Sequence, residues 1–150
     1  MFKGERDHEK KIFERGRTLA FAQPFPFTVR SYTLPFLFAG KLHALLCRKW
    51  GKRVKGRDWY DTLWFIGREV PVHLGYLATK MSESGHRVIE APLTLVELQE
   101  LIGKRAQQLN WDLAKADVIR FIRDPRSIEA WSEELFIQMA QKIKSVEHFV

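Results

Sequence analysis

A single cysteine, Cys47, stands among the 150 residues, so no internal disulfide can form. That excludes a disulfide-stapled scaffold, and a reducing compartment is the simplest reading. Long apolar runs are missing too. The most apolar stretch, Leu34 to Cys47, is interrupted by Pro35, Lys41 and His43 and is too short to span a bilayer. Residues 1–17 mix six basic with four acidic side chains, so no signal-peptide run begins there. A cytoplasmic protein with no membrane partner is expected. No internal repeat, low-complexity segment or phosphate-cradling Gly-x-x-x-x-Gly-Lys-Ser/Thr occurs. What is present is a globular balance, 45% hydrophobic and 29% charged, in a chain long enough for one domain with a real core.

Acidic residues are absent from 18–57. That segment carries Arg30, Lys41, Arg48, Lys49, Lys52, Arg53, Lys55 and Arg57, a net +8, against +2 for residues 1–17 and −3 for 58–150. The formal charge of +7 is therefore a local feature, centred on Arg48–Arg57, "RKWGKRVKGR". Such a cluster attracts phosphates through its field and through charge-assisted hydrogen bonds. A solvated basic loop between two helices, serving solubility, is the competing reading.

The chain divides into an N-terminal segment, 1–33, and a helical domain, 34–150. Residues 5–16 form a possible short helix with alternating charges. Residues 18–33 are aromatic and β-branched, with Pro24 and Pro26, which exclude a helix interior and a central strand. One strand near 26–32 is expected, with an earlier strand as its possible partner. From Pro35 the period becomes helical, with Leu37, Phe38, Leu42, Leu45 and Leu46 on one stripe and Gly51 as the stop. Further helices are expected from Arg57 to Gly67 and from Pro71 to about Glu83, with Gly85 at the left-handed cap and a loop over 85–93. Thr94-Leu-Val-Glu97 is a capping-box pattern opening a fourth helix. Asn110 caps a fifth, carrying Val118, Phe121 and Ile122. Asp124-Pro125 signals one long last helix, with Ile128, Trp131, Leu135, Met139, Ile143 and Val146 on one face. The predicted fold is mainly α: about six helices preceded by a short extended segment.

Two segments carry chemistry. Lys41-Leu-His-Ala-Leu-Leu-Cys-Arg48 puts Lys41, Ala44 and Arg48 on one helix face. Lys55-Gly-Arg-Asp-Trp-Tyr-Asp61 opens the next helix with Asp58 and Asp61 as i, i+3 neighbours. A helical hairpin can gather Lys41, Arg48, Asp58 and Asp61 into one cleft. Lysine gives a point charge for phosphate oxygens, arginine a bidentate fork, and a carboxylate a base or metal ligand. The structural alternative is equally concrete. Acids in a first turn are favoured by the macrodipole, and Lys41 and Arg48 can pair with them across the hairpin. His43 and Cys47 at i, i+4 have a metal-compatible spacing, but no second pair with ligand spacing exists, so no metal site is assigned. His73, His86 and His148 have no consistent partners in sequence. The five tryptophans read as packing anchors, with Trp50 and Trp59, beside the basic loop, the two worth testing as stacking platforms.

"FAGKLHALLCR", a short basic spacer and then "KGRDWYDTLWFI" resemble the second half of the AbiEii/AbiGii-type nucleotidyltransferase toxins of type IV toxin–antitoxin and abortive-infection systems. The resemblance is carried by residues 37–66 and extends over 24–150. It implies a helical C-terminal region and transfer of a nucleotide from a nucleoside triphosphate, with Mg²⁺, onto RNA such as tRNA. It implies an antitoxin partner. It assigns Lys41 to the nucleotide phosphates and Asp58 to the active site, with Asp61 and Arg57 in support. The candidate site is then Asp58, Lys41 and Asp61 as catalytic residues and Lys41, Arg48 and Arg57 as phosphate ligands. Lys49, Lys52, Arg53 and Lys55 are left for RNA.

The same family carries an earlier half with a Gly-Ser motif and an Asp-x-Asp strand, whose two carboxylates face one way and hold the metal ions. Neither motif occurs in this sequence. Asp58 and Asp61 do not substitute, because helical i, i+3 spacing differs from that of a strand. The expectation is a truncated or split relative, with residues 1–33 a remnant of the nucleotidyltransferase core and with activity incomplete alone. A non-enzymatic helical module binding RNA or a protein through the 48–57 loop is the alternative. An orphaned strand edge in residues 18–33 predicts a homodimer through the N-terminal segment.

Overall fold

A computed structural model describes residues 16–21, 27–49, 53–88 and 90–146. The helix expected from residue 5, the stop at Gly51, and Trp50, Lys52 and His148 fall outside the described residues. Two strands, β1 (Gly16–Phe21) and β2 (Phe27–Tyr32), form an antiparallel hairpin in which Gly16 pairs with Tyr32 and Phe21 with Phe27. The earlier partner strand is thus real, and among the described residues the sheet stops at two strands.

Among the described residues six α-helices follow, and most start where a side chain caps them. Pro35 lies in the first turn of α1 (Leu34–Cys47), where a missing N–H costs nothing. The second helix, α2, spans Gly56–Gly67 with Asp58 in its first turn. Helix α3 (Leu74–Glu83) starts later than Pro71, because His73 Nδ1 accepts from Tyr76 N at 3.0 Å. Pro71 and Val72 are instead extended, and Val72 N donates to Lys144 O at 2.8 Å in a parallel bridge. Gly85 takes φ 76°, as a left-handed cap requires. Helix α4 (Leu95–Gln107) is capped by Thr94, whose Oγ1 accepts from Glu97 N at 3.2 Å. Asn110 caps α5 (Trp111–Val118) through Leu113 N at 3.1 Å.

The long last helix is not formed. Asp124 caps only a short 3-10 turn, Pro125–Ile128, and Ser132 then opens a separate helix, α6 (Glu133–Ala140), accepting from Leu135 N at 3.2 Å. A serine followed by two glutamates is a helix start in its own right, and it overrides the continuous apolar period. Ile128, Trp131 and Ile143 are still buried, but through turns rather than one helix face. Helix α5 also ends early. Residues Ile119–Phe121 tighten into a 3-10 turn, so Val118 is buried and Phe121 is 56% exposed.

Packing follows the buried stripes. Helix α1 lies against α2 and α3, α2 against α5, and α4 against α6. Phe38 stacks on Phe65 with ring centroids 4.8 Å apart. Trp59 is fully buried and meets Phe136 and Trp111 edge-on at 4.8 and 5.1 Å. It is a core anchor and cannot stack on a ligand. Where α2 crosses α5 the backbones touch: a Cβ on Gly56 would lie 2.0 Å from the Ala114 carbonyl oxygen. Only glycine permits that approach. Among the described residues no helix is long and apolar enough to cross a membrane.

Candidate nucleotide-binding cleft

The α1–α2 hairpin and the end of α5 enclose a cleft of about 360 Å³. Lys41 and Arg48 enter from α1, two turns apart, and Arg57, Asp58, Tyr60 and Asp61 from the first turns of α2. Lys55 lines it from just before α2, and Val118, Phe121 and Ile122 complete the lining. Four cations thus face two carboxylates. The four residues expected to converge do converge.

They do so as two ion pairs. Lys41 Nζ donates to Asp61 Oδ2 at 2.7 Å, and Arg48 Nη1 donates to Asp58 Oδ2 at 3.0 Å. The pairs differ in kind. Lys41 and Asp61 keep 47% and 36% of their side-chain exposure, so their pairing contributes about 0–1 kcal/mol and is readily exchanged. Asp58 is a buried residue, only 6% exposed. Burial pushes its carboxyl above the ordinary value, while Arg48 and Lys41 pull the other way. The hydroxyl of Thr62 bonds the Asp58 carbonyl at 2.8 Å, within the same turn of α2.

Arg57 stacks its guanidinium over the Phe121 ring, 4.7 Å from the centroid, and Arg120 approaches the same ring at 5.1 Å. Arg105, a residue sequence reasoning passed over, reaches from α4 to the end of α1. Its Nε donates to Leu45 O at 3.1 Å and its Nη2 to Arg48 O at 2.7 Å. A guanidinium on the last carbonyls of a helix satisfies acceptors that have no partner within the helix, and so it fixes the backbone that carries Arg48. Tyr60, Phe121 and Ile122 were likewise missed as cleft residues. Phe121 and Ile122 read as the core face of a longer α5, and nothing in their spacing signals the early stop.

Not all of the basic run belongs here. Lys49 and Arg53 are exposed and do not line the cleft, whereas Lys55, assigned to RNA by its place in the loop, does line it. His43 and Cys47 both neighbour Ser84. His43 Nε2 meets Ser84 Oγ at 3.0 Å, Ser84 meets His86 Nδ1 at 2.9 Å, and Cys47 is buried with its thiol pushed up by desolvation. Among the described residues no cluster of three or more His, Cys, Asp or Glu can hold a metal ion. Asp58 and Asp61 are each engaged by a cation.

Comparison with known proteins gives one finding. The model of a family described as nucleotidyl transferase AbiEii toxin, type IV toxin–antitoxin system, matches residues 8–135. Set against the resemblance over 24–150, the match begins earlier, at residue 8, and ends at residue 135, and it includes both motif helices. No curated protein and no solved structure matches. With the motif helices folded into one cationic cleft and the family model matching residues 8–135 of the 150, the chain belongs to the AbiEii nucleotidyl transferase toxin family.

Proposed function

We propose that the α1–α2 cleft binds the polyphosphate of a nucleoside triphosphate, as the nucleotide-side half of a nucleotidyl-transfer site acting on RNA. The observation that supports this is the pairing of Lys41 with an exposed carboxylate beside the buried Asp58. Phosphate oxygens displace Asp61 from Lys41 at little cost and take up the open valences of Arg48, Lys55 and Arg57. Asp58, whose burial raises its proton affinity, is placed to accept a proton from an attacking hydroxyl. That proton goes to Asp58, the hydroxyl oxygen bonds the α-phosphorus, and pyrophosphate leaves.

The carboxylates that hold metal ions in such transfer are not among these residues, because the sequence has no Asp-x-Asp. The chain by itself therefore binds triphosphate but does not transfer it, and the metal-holding half comes from another segment or polypeptide. RNA, tRNA included, is the acceptor, a cognate antitoxin is the protein partner, and the cytoplasm is the site of action. Robust transfer of label from nucleoside triphosphates to total RNA by the purified chain with Mg²⁺ overturns the incomplete reading.

Exposure of Lys49 and Arg53 outside the cleft favours a second reading, a non-enzymatic module that grips RNA along the 48–57 loop. Triphosphate binding by calorimetry separates the two. Loss of binding in Lys41→Ala, with Lys52/Arg53→Ala unaffected, supports the cleft. The reverse pattern, with RNA affinity that falls steeply with salt, supports the loop.

A further inference from the structure

We infer that the cleft carries a nucleobase subsite, with the exposed ring of Phe121 as its stacking platform. The inference rests on the phosphate reading of the preceding section and adds where the rest of the nucleotide lies. The lining of the cleft is of two chemical kinds. Lys41, Arg48 and Lys55 supply charge, whereas Tyr60, Val118, Phe121 and Ile122 supply flat or apolar surface. A nucleotide has the same polarity, an anionic tail and a planar apolar head. The volume of about 360 Å³ lies within the range of small-ligand sites, so one ligand can meet both kinds of lining.

Phe121 is held out of the core by backbone geometry. Continuing α5 for one more turn would have carried it along the buried stripe of Ala114 and Val118. The 3-10 turn Ile119–Phe121 and the extended Ile122 turn it outward instead, leaving it 56% exposed. The ring is nevertheless fixed, because the guanidiniums of Arg57 and Arg120 lie 4.7 and 5.1 Å from its centroid. An exposed aromatic ring is a platform on which any base can stack, since every base has a π-face, and a base reaching this ring takes the place of one of the guanidiniums over it. Arg57 belongs to both sets: it lines the cleft, and its guanidinium lies 4.7 Å from the ring centroid.

The test is isothermal calorimetry on the full chain with three probes: inorganic tripolyphosphate, ATP and a short single-stranded oligonucleotide. Phe121→Ala is expected to weaken ATP roughly 5- to 150-fold, the range for loss of one base–aromatic stack, and to leave tripolyphosphate unchanged. Phe121→Trp is expected to restore ATP binding. Because the ring is exposed, neither variant should lower the melting temperature, and circular dichroism checks this. Unchanged ATP affinity in Phe121→Ala overturns the subsite. So does an equal loss for tripolyphosphate, which would make the ring a wall of the phosphate site. A loss confined to the oligonucleotide also overturns it, by assigning the ring to a strand. If tripolyphosphate binds the parent chain and depends on Lys41 while Phe121→Ala is neutral, the subsite alone fails. If neither tripolyphosphate nor ATP binds the parent chain, the phosphate reading fails and the subsite falls with it.

Discussion

Two glycines in neighbouring helices should respond to the same substitution with opposite signs. At Gly56 a Cβ would lie 2.0 Å from the Ala114 carbonyl oxygen, 2.9 Å from its carbon and 3.3 Å from its Cα. The obstacle is backbone, so no side-chain rotation relieves it. Either α5 retreats by roughly an ångström or the first turn of α2 unwinds. The crossing is locked by Trp59, Trp111 and Phe136, so retreat loosens the largest aromatic contact in the core. Overpacking of this kind costs about 1–3 kcal/mol and more where backbone is hit, so Gly56→Ala should destabilise by roughly 3 kcal/mol. For a chain of this size that lowers the melting temperature by roughly 6–12 °C. In α1, a Cβ on Gly40 meets nothing within 4 Å. There the lower conformational freedom of alanine dominates, and Gly40→Ala should stabilise by about 0.5–1 kcal/mol. Urea unfolding followed by circular dichroism measures both. A Gly56→Ala protein as stable as its parent would refute the close approach of α2 to α5. It would also remove the basis for placing Val118, Phe121 and Ile122 opposite Asp58, because the same crossing sets that distance.

Two further outcomes are expected. Burial raises the proton affinity of Asp58 in the folded state, so its contribution to stability is complete below about pH 4 and is lost as pH rises through the raised value. Asp58→Asn should therefore gain stability relative to the parent between pH 4 and pH 7 in urea titrations, while losing whatever activity Asp58 supports. A relative loss over that interval would mean that the bond from Arg48 outweighs burial. The hairpin β1–β2 has no third strand among the described residues, and an uncovered strand edge pairs readily with a second copy. A homodimer by light scattering, converted to monomer by Val29→Pro in β2, is the expected result, and a monomeric parent chain would rule the pairing out.

Much of the helical layout was legible because it is written in local chemistry. Thr94 and Asn110 accept hydrogen bonds from the turns they cap, Gly85 takes the left-handed turn, and Pro35 sits where a helix tolerates it. The motif helices were likewise legible, since a spacing of seven places Lys41 and Arg48 on one face whatever lies around them. Misreadings arose where two local signals competed. A continuous apolar period ran through Ser132, and the cap won. The same kind of period ran through Phe121, and the chain tightened instead.

The sequence by itself determined the mainly helical fold, the single basic segment and the two motifs that identify the family. Each of these depends on residues within a turn or two of one another. Tertiary structure alone decided which acid each cation faces, that Lys55 enters the cleft while Lys49 and Arg53 stay outside it, and that Arg105 and Phe121 belong to the site at all. Those outcomes hang on where α4 and α5 cross the hairpin, and that is set by packing volumes at Gly56, Trp59 and Ala114. A steric fit between segments nearly sixty residues apart leaves no periodic trace in either segment.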